Sequence, residues 1–232
     1  VFSLLDPKQL NVAFAGWWQS IQTLTPNCQI AIDGKCLRAS HNKAENKGAI
    51  HMVSAWSVEN GIVLGQVKTD EKSNEITAIP ELIKLLELQG TTVSIDAMGC
   101  QKSIAKQIID QKADYVFSLK GNHSGLHDQV KMFFQDNSNN QSEFDLFEST
   151  DGDHGRIEVR RYATCSDIDW LQGKENWAGL KSITMVQRER HIDDATSKET
   201  SYYISSKQKD AKNIARAIRN HWQIENSLHW IL

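Results

Sequence analysis

Two β-rich runs meet at Glu59-Asn60-Gly61, and this junction limits the possible folds more than any other stretch of the chain. In AIHMVSAWSVENGIVLGQVKTD, apolar residues alternate on both sides of the tripeptide. Asn-Gly tolerates the positive φ angles of a tight hairpin turn, so the two runs are expected to pair antiparallel. Upstream, Ile30 and Ile32 in CQIAIDGKCLRAS alternate with small or polar residues, and that strand runs into Asp33 and the turn-prone Gly34. Three antiparallel strands in a row follow from these local signals.

The next segments place helices between further strands. TAIPELIKLLELQG reads as a helix capped by Thr77, with Pro80 in its first turn and Gly90 as its stop. TTVSIDAMGC is a β-branched strand that ends on Asp96. In CQKSIAKQIIDQKA, Ile104, Ile108 and Ile109 recur at helical spacing, and DYVFSLKG is a short strand closed by Gly121. The order is βββαβαβ. A right-handed crossover makes the strands ending at Asp96 and Gly121 parallel. The expected class is α/β, a mixed sheet of three antiparallel strands plus parallel strands with flanking helices.

Near the amino terminus, Asp6 can cap a helix opened by Pro7 that aligns Leu10, Phe14, Trp17, Trp18 and Ile21. NHSGLHDQVKMFFQD has a helical pattern and NSNNQSE is a polar loop. From Phe144 to Ser205, short alternating runs separated by Gly, Asp and Asn clusters predict a β-rich insertion. DAKNIARAIRNHWQIENSLHWIL closes the chain as a helix capped by Asp210, with Ile214, Ala217, Ile218, Ile224 and Leu228 on its buried stripe. The expected divisions are a helical segment over 1–28, the first part of a catalytic core over 29–143, the insertion over 144–206 and the closing core helix over 207–232. A start at Val1 and a stop at Leu232 inside a helical pattern suggest a fragment.

Composition removes several classes of function. The 232 residues, 40% hydrophobic and 24% charged, supply enough apolar material for a folded core. A net charge of -3 argues against a general polycation, so any DNA contact must use local basic faces. Cys28, Cys36, Cys100 and Cys165 form neither a CxxC pair nor a dense disulfide framework, which suits a reducing cytoplasm. No stretch approaches the roughly 20 apolar residues of a membrane span, so no membrane partner is expected.

A carboxylate at the end of a buried strand is costly unless a donor, a cation or a metal ion pairs with it. Asp33 and Asp96 both follow apolar strands, and Glu225 lies on a helix able to pack over the same sheet. Magnesium takes oxygen ligands, and a two-metal site about 3.5–4 Å across needs a few carboxylates that bridge it. Two aspartates and a glutamate remote in sequence meet that need. Strand-end caps, ion pairs and a solvated helix glutamate are the blander readings, and spacing alone favours them.

On the last helix, His221, Glu225 and His229 recur at i, i+4 and i+8, while Trp222, Asn226 and Trp230 fall on the neighbouring face. The tryptophans read as core packing rather than base-stacking platforms. Zinc is the weaker reading, because HExxH is absent and i+8 exceeds one metal's reach. Candidate phosphate contacts are Lys35 and Arg38, in a stretch that also holds Lys43 and Lys47, then Lys120 and Asn122 after a strand end. His154, Arg156 and Arg160 share one strand face with Glu158 in HGRIEVRR, and Arg219 and His221 precede Glu225. Each group also reads as ordinary surface charge.

Seven ordered motifs, IAIDGK, DEKSNEITAIPELI, IDAMGCQ, YVFSLKGN, HGRIEVRR, YYISS and HWQIENSLHW, resemble the DDE transposases of bacterial insertion sequences, in the group of the H-repeat-associated proteins. The resemblance runs from Ile30 to Leu232 and implies a ribonuclease H-like fold with the catalytic, metal-binding acids at Asp33, Asp96 and Glu225. It implies paired Mg²⁺ ions, with Mn²⁺ as a substitute, acting on double-stranded DNA at terminal inverted repeats and at target sites. It also implies at least a homodimer, and work at the nucleoid in the cytoplasm. Related transposases often carry an arginine one turn before the glutamate, where this chain has His221. A DNA-binding remnant and a metal-dependent nuclease are the rival functions that the sequence leaves open.

Overall fold

The computed structural model describes residues 5–6, 9–10, 13, 16–17, 28–37, 40, 49–69, 75–138, 141–153, 155–193 and 195–229. Expectations for Phe14, Trp18, Ile21, Arg38, Lys43, Lys47, His154 and Trp230 lie outside them. In the amino-terminal stretch, Asp6 caps as expected: its Oδ1 accepts a hydrogen bond from the Gln9 amide at 3.3 Å. The chain divides into two compact units, Val1–Tyr115 with Arg219–Leu232, and Val116–Ile218.

The first unit is built on β1 (Gln29–Cys36), β2 (His51–Ser57), β3 (Ile62–Lys68) and β4 (Thr92–Ile95), in the spatial order β3-β2-β1-β4. The first three pair antiparallel, and β4 lies parallel to β1. This is the ribonuclease H-like arrangement that the motifs implied. The hairpin turns at Val58–Gly61, where Gly61 adopts φ 63, a left-handed angle that costs a glycine little. Ile30, Ala31, Ile32 and Val93 are fully buried, as strands covered on both faces must be. Trimming a large side chain here to alanine costs about 2–5 kcal/mol.

Helices α1 (Glu75–Lys84) and α2 (Lys102–Asp110) complete this unit. α1 buries Ala78, Ile79, Leu82 and Ile83, and Leu82 reaches the space that a side chain on Gly65 of β3 would fill. Two expectations for α1 are corrected. It starts at Glu75 rather than after a Thr77 cap, so Pro80 lies in its interior, where four buried neighbours outweigh one missing amide. Gly90 does not stop the helix, which ends at Lys84; with φ 75 it shapes the turn into β4.

The second unit begins within β5 (Asp114–Leu119) and contains α3 (Ser124–Asp136), β6 (Asp145–Asp153), β7 (Arg156–Cys165), β8 (Ser182–Ile192), β9 (Ala195–Ser205) and most of α4 (Ala211–His221). Its strands lie in the order β5-β9-β8-β7-β6, each pair antiparallel. The expected β-rich insertion is therefore present, with its last strand paired to β5. Asp210 caps α4 by accepting from the Asn213 amide at 3.0 Å. Ala211, Ile214, Ala215, Ala217 and Ile218 then pack against Val116, Tyr162 and Val186, alanines letting the helix lie close to the strands.

The outer halves of β6 to β9 are polar and are joined by cross-strand ion pairs, such as Arg161 Nε to Glu148 at 2.8 Å and Lys198 Nζ to Glu189 at 3.5 Å. At their centre Glu158 is only 2% exposed. Arg160 grips it directly, Arg190 approaches at 3.3 Å, and Arg156 and Arg188 stand at 3.9 Å. No helix among the described residues is long and apolar enough to cross a membrane.

Candidate active site

Asp33 does not end its strand, contrary to the reading of Gly34 as a turn. β1 continues to Cys36 along β2, with Asp33 opposite Ser54, while the parallel pairing with β4 stops at Ile32 and Ile95. Asp33 and Asp96 are thus the residues immediately beyond the last parallel pair, side by side where β4 gives way to a turn. Asp96 fixes that turn: its Oδ1 accepts from the amides of Met98 at 3.0 Å and Gly99 at 3.2 Å.

Glu225 arrives from the other end of the chain. Alternation puts Gln29, Ala31 and Asp33 on one face of β1, and the register Ala31 to Ser94 carries that face onto β4. Ala31 packs with Trp56, Ile224 and Leu228, so the face bearing Asp33 is the one covered by the π-helical turn Ile224–His229. Glu225 lies on that turn and is exposed. One turn earlier, His221 Nδ1 lies 3.1 Å from Ser94 Oγ, which also accepts a 2.8 Å hydrogen bond from Gln29 Nε2. This polar link ties the approach to Glu225 onto both aspartate-bearing strands.

The end of α4 also corrects the helical-wheel reading. The helix stops at His221, and Trp222, in the turn beyond it, is 45% exposed instead of packed in the core.

A fourth carboxylate stands here that sequence reasoning missed. Glu75, first residue of α1, lies against Gly34, and a Cβ added to Gly34 would overlap its carboxylate. The sequence showed Gly34 only as turn-prone; once β1 is seen to run through it, a glycine inside a strand is a sign that another group approaches closely.

The charges of these acids act on one another. Burial, followed by the charge of Asp96, pushes the Asp33 carboxyl from 3.8 up to about 7, with Glu75 and Glu225 adding to the rise and the Gly34 amide opposing it. Glu75 is also raised, by burial first and then by Asp96, while His51 pulls it down. Among the described residues no three acid, His or Cys side chains converge tightly enough to hold a metal ion as they stand. Carboxylates sharing a strand end repel one another, and a divalent cation is the partner that turns this repulsion into attraction. The donor chemistry, all carboxylate oxygen, fits Mg²⁺ or Mn²⁺.

The basic candidates are distributed over both units. In the first unit, Lys35 lies half-buried on β1 and Arg219 is exposed. In the second, Lys120 and Asn122 are exposed beyond β5 and Arg156 is exposed on β7, whereas Arg160 is buried between Asp151 and Glu158.

Residues 25–232 match the family model described as the transposase DDE domain. The chain belongs to the DDE transposase family. It is 46% identical over its whole length to "Putative transposase YncI" of Escherichia coli O157:H7, covering 60% of that protein. It is 41% identical, again over its whole length, to "H repeat-associated putative transposase YhhI" of Escherichia coli strain K12, covering 63%. This DDE transposase chain thus spans about three-fifths of the length of these relatives. Among solved structures, the piggyBac transposase synaptic complex with hairpin DNA aligns at a TM-score of 0.48 and 14% identity, covering 87% of this chain and 40% of that one.

Proposed function

We propose that this chain is the catalytic domain of a DNA transposase that cleaves phosphodiesters at insertion-sequence ends and joins the freed ends to target DNA, with Asp33, Asp96 and Glu225 as the metal-binding acids. The observation that carries the reading is the shared strand end. Two aspartates directly follow the last paired residues of parallel neighbours, and Glu225 lies on the turn whose Ile224 and Leu228 pack on the face of Ala31, in a chain of the DDE family.

The residues divide the work. Asp96, held by two backbone amides, offers a carboxylate of fixed direction, and Asp33 supplies the half-buried, charge-sensitive partner. Exposed Glu225 closes the set from the helical side. These three acids would hold two Mg²⁺ ions, or Mn²⁺ in their place, which would supply charge stabilisation for an in-line displacement at phosphorus. Water is the nucleophile for cleavage, and a DNA 3′-hydroxyl is the nucleophile for joining. Lys35, Arg38, Lys120, Asn122, His154, Arg156, Arg219 and His221 are proposed DNA contacts, with terminal inverted repeats and target duplex as partners; Arg160, buried against Asp151 and Glu158, is withdrawn from that set. Two ends must be processed together, so the active form is proposed to be a homodimer at the nucleoid.

The decisive assay follows cleavage and strand transfer on plasmids carrying the element's own ends. Asp96→Asn is expected to abolish both reactions while duplex binding persists in a gel shift. Joining at the wild-type rate by that variant overturns the assignment.

A further inference from the structure

We propose that Glu75 is a fourth carboxylate of the metal site, reaching Asp33 and Asp96 from the opposite side to Glu225, and that Gly34 is a glycine because this carboxylate occupies its side-chain space. The inference rests on the metal-site reading above and extends it to a residue outside the three acids.

The geometry begins in mid-strand. A glycine within a strand is costly relative to alanine, by about 0.5–1 kcal/mol in general, and Gly34 is a paired residue of β1 opposite Val53. It needs no positive φ, so backbone conformation does not call for glycine. What calls for it is Glu75: an alanine Cβ would coincide with the carboxylate and stand 2.7 Å from Glu75 Cγ. Asp33 is the residue next to Gly34, and Asp96 directly follows Ile95, the residue of β4 paired with Ile32.

The two glutamates approach β1 from opposite faces. α1 covers the face on which Leu82 fills the space beside Gly65, and Gly65 pairs with Ala55, which pairs with Ile32, the residue two before Gly34. The turn bearing Glu225 covers the face of Ala31 and Asp33. Glu75 and Glu225 therefore flank the Asp33–Asp96 pair from its two sides. A first-turn glutamate also complements a helix dipole, but that role needs neither the glycine nor proximity to two aspartates.

The test is Mn²⁺ binding, followed by the loss of the free-ion electron paramagnetic resonance signal, in the full-length protein without DNA. Asp33→Asn and Glu75→Gln are each expected to weaken binding, Glu75→Gln by about tenfold or more. In chelator-treated protein Glu75→Gln is expected to raise Tm by relieving repulsion, whereas a helix-dipole role predicts a fall. Gly34→Ala should weaken Mn²⁺ binding when Glu75 is present and add nothing in a Glu75→Ala background. If Asp33→Asn weakens binding and Glu75→Gln does not, the inference about Glu75 is overturned while the three-acid site stands. If neither variant changes Mn²⁺ affinity, both are overturned. Should Glu75→Gln fold poorly, the Gly34→Ala comparison decides: equal losses with and without Glu75 refute the contact.

Discussion

At Asp33 a carboxyl group is set between burial and three other acids, and its folded value near 7 lies above its ordinary 3.8. The protonated form is therefore favoured by the folded protein. Its stabilising effect is complete below about pH 4 and is lost as pH rises through 7. In metal-free buffer, unfolding free energy is expected to fall between those limits by an amount on the order of a few kcal/mol. Asp33→Asn should flatten that part of a pH series of denaturant titrations. Saturating Mg²⁺ should make the wild-type protein more stable at pH 7.5 than at pH 5, and a wild-type profile unmoved by either change would contradict the placement of these acids. Asp33 and Asp96 were legible from sequence because each directly follows an apolar run. Glu75 was not, since only the folded contact with Gly34 connects positions so far apart.

Among the elements, the strands of the insertion depend on one buried anion. Glu158 accepts the charge of Arg160 and Arg190 and lies close to Arg156 and Arg188. Removing one member of a buried ionic cluster leaves the others unpaired, at about 3–5 kcal/mol. Glu158→Ala is expected to lower stability by that amount, read from chemical denaturation, whereas Arg156→Ala, whose partner keeps other cations, should cost under about 1 kcal/mol. Equal losses would refute the hub. Period-two alternation disclosed that these strands exist and which residues share a face. It could not disclose the hub, because the register of β7 against β8 decides whether Glu158 meets Arg190. The hairpin at Gly61 was legible for the converse reason, its chemistry being local. The misreading of Trp222 has a physical cause as well: the pattern carried a 3.6-residue period past His221, where α4 ends.

Over the whole molecule, the first unit is completed by residues from the far end of the chain. Ile224 and Leu228 cover Ala31 and Trp56, so this cluster forms only after the insertion has been made. Such distant contacts carry loop-closure costs that local ones do not. A chain truncated after Ile218 is expected to bind a hydrophobic dye and to exchange the amides of β1 and β2 quickly. The amides of β7 and β8 should stay protected, since their packing partners lie within 116–218. Protection of β1 equal to that of the intact chain would show that the cover is dispensable. The change of texture near Phe144 marks where the strand-rich stretch begins, not where the units divide; that boundary lies inside β5 and leaves no mark in composition.

The π turn at Ile224–His229 has a further consequence for inheritance. Such turns hold an extra residue relative to the helices they interrupt, so a lineage that lost one codon here would relax to the ordinary winding. The acid would swing away from its partners by about 100°. Single-residue length changes between His221 and Leu228 should therefore be far rarer among working copies than substitutions at the same positions, and decaying copies of the element should be recognisable by them.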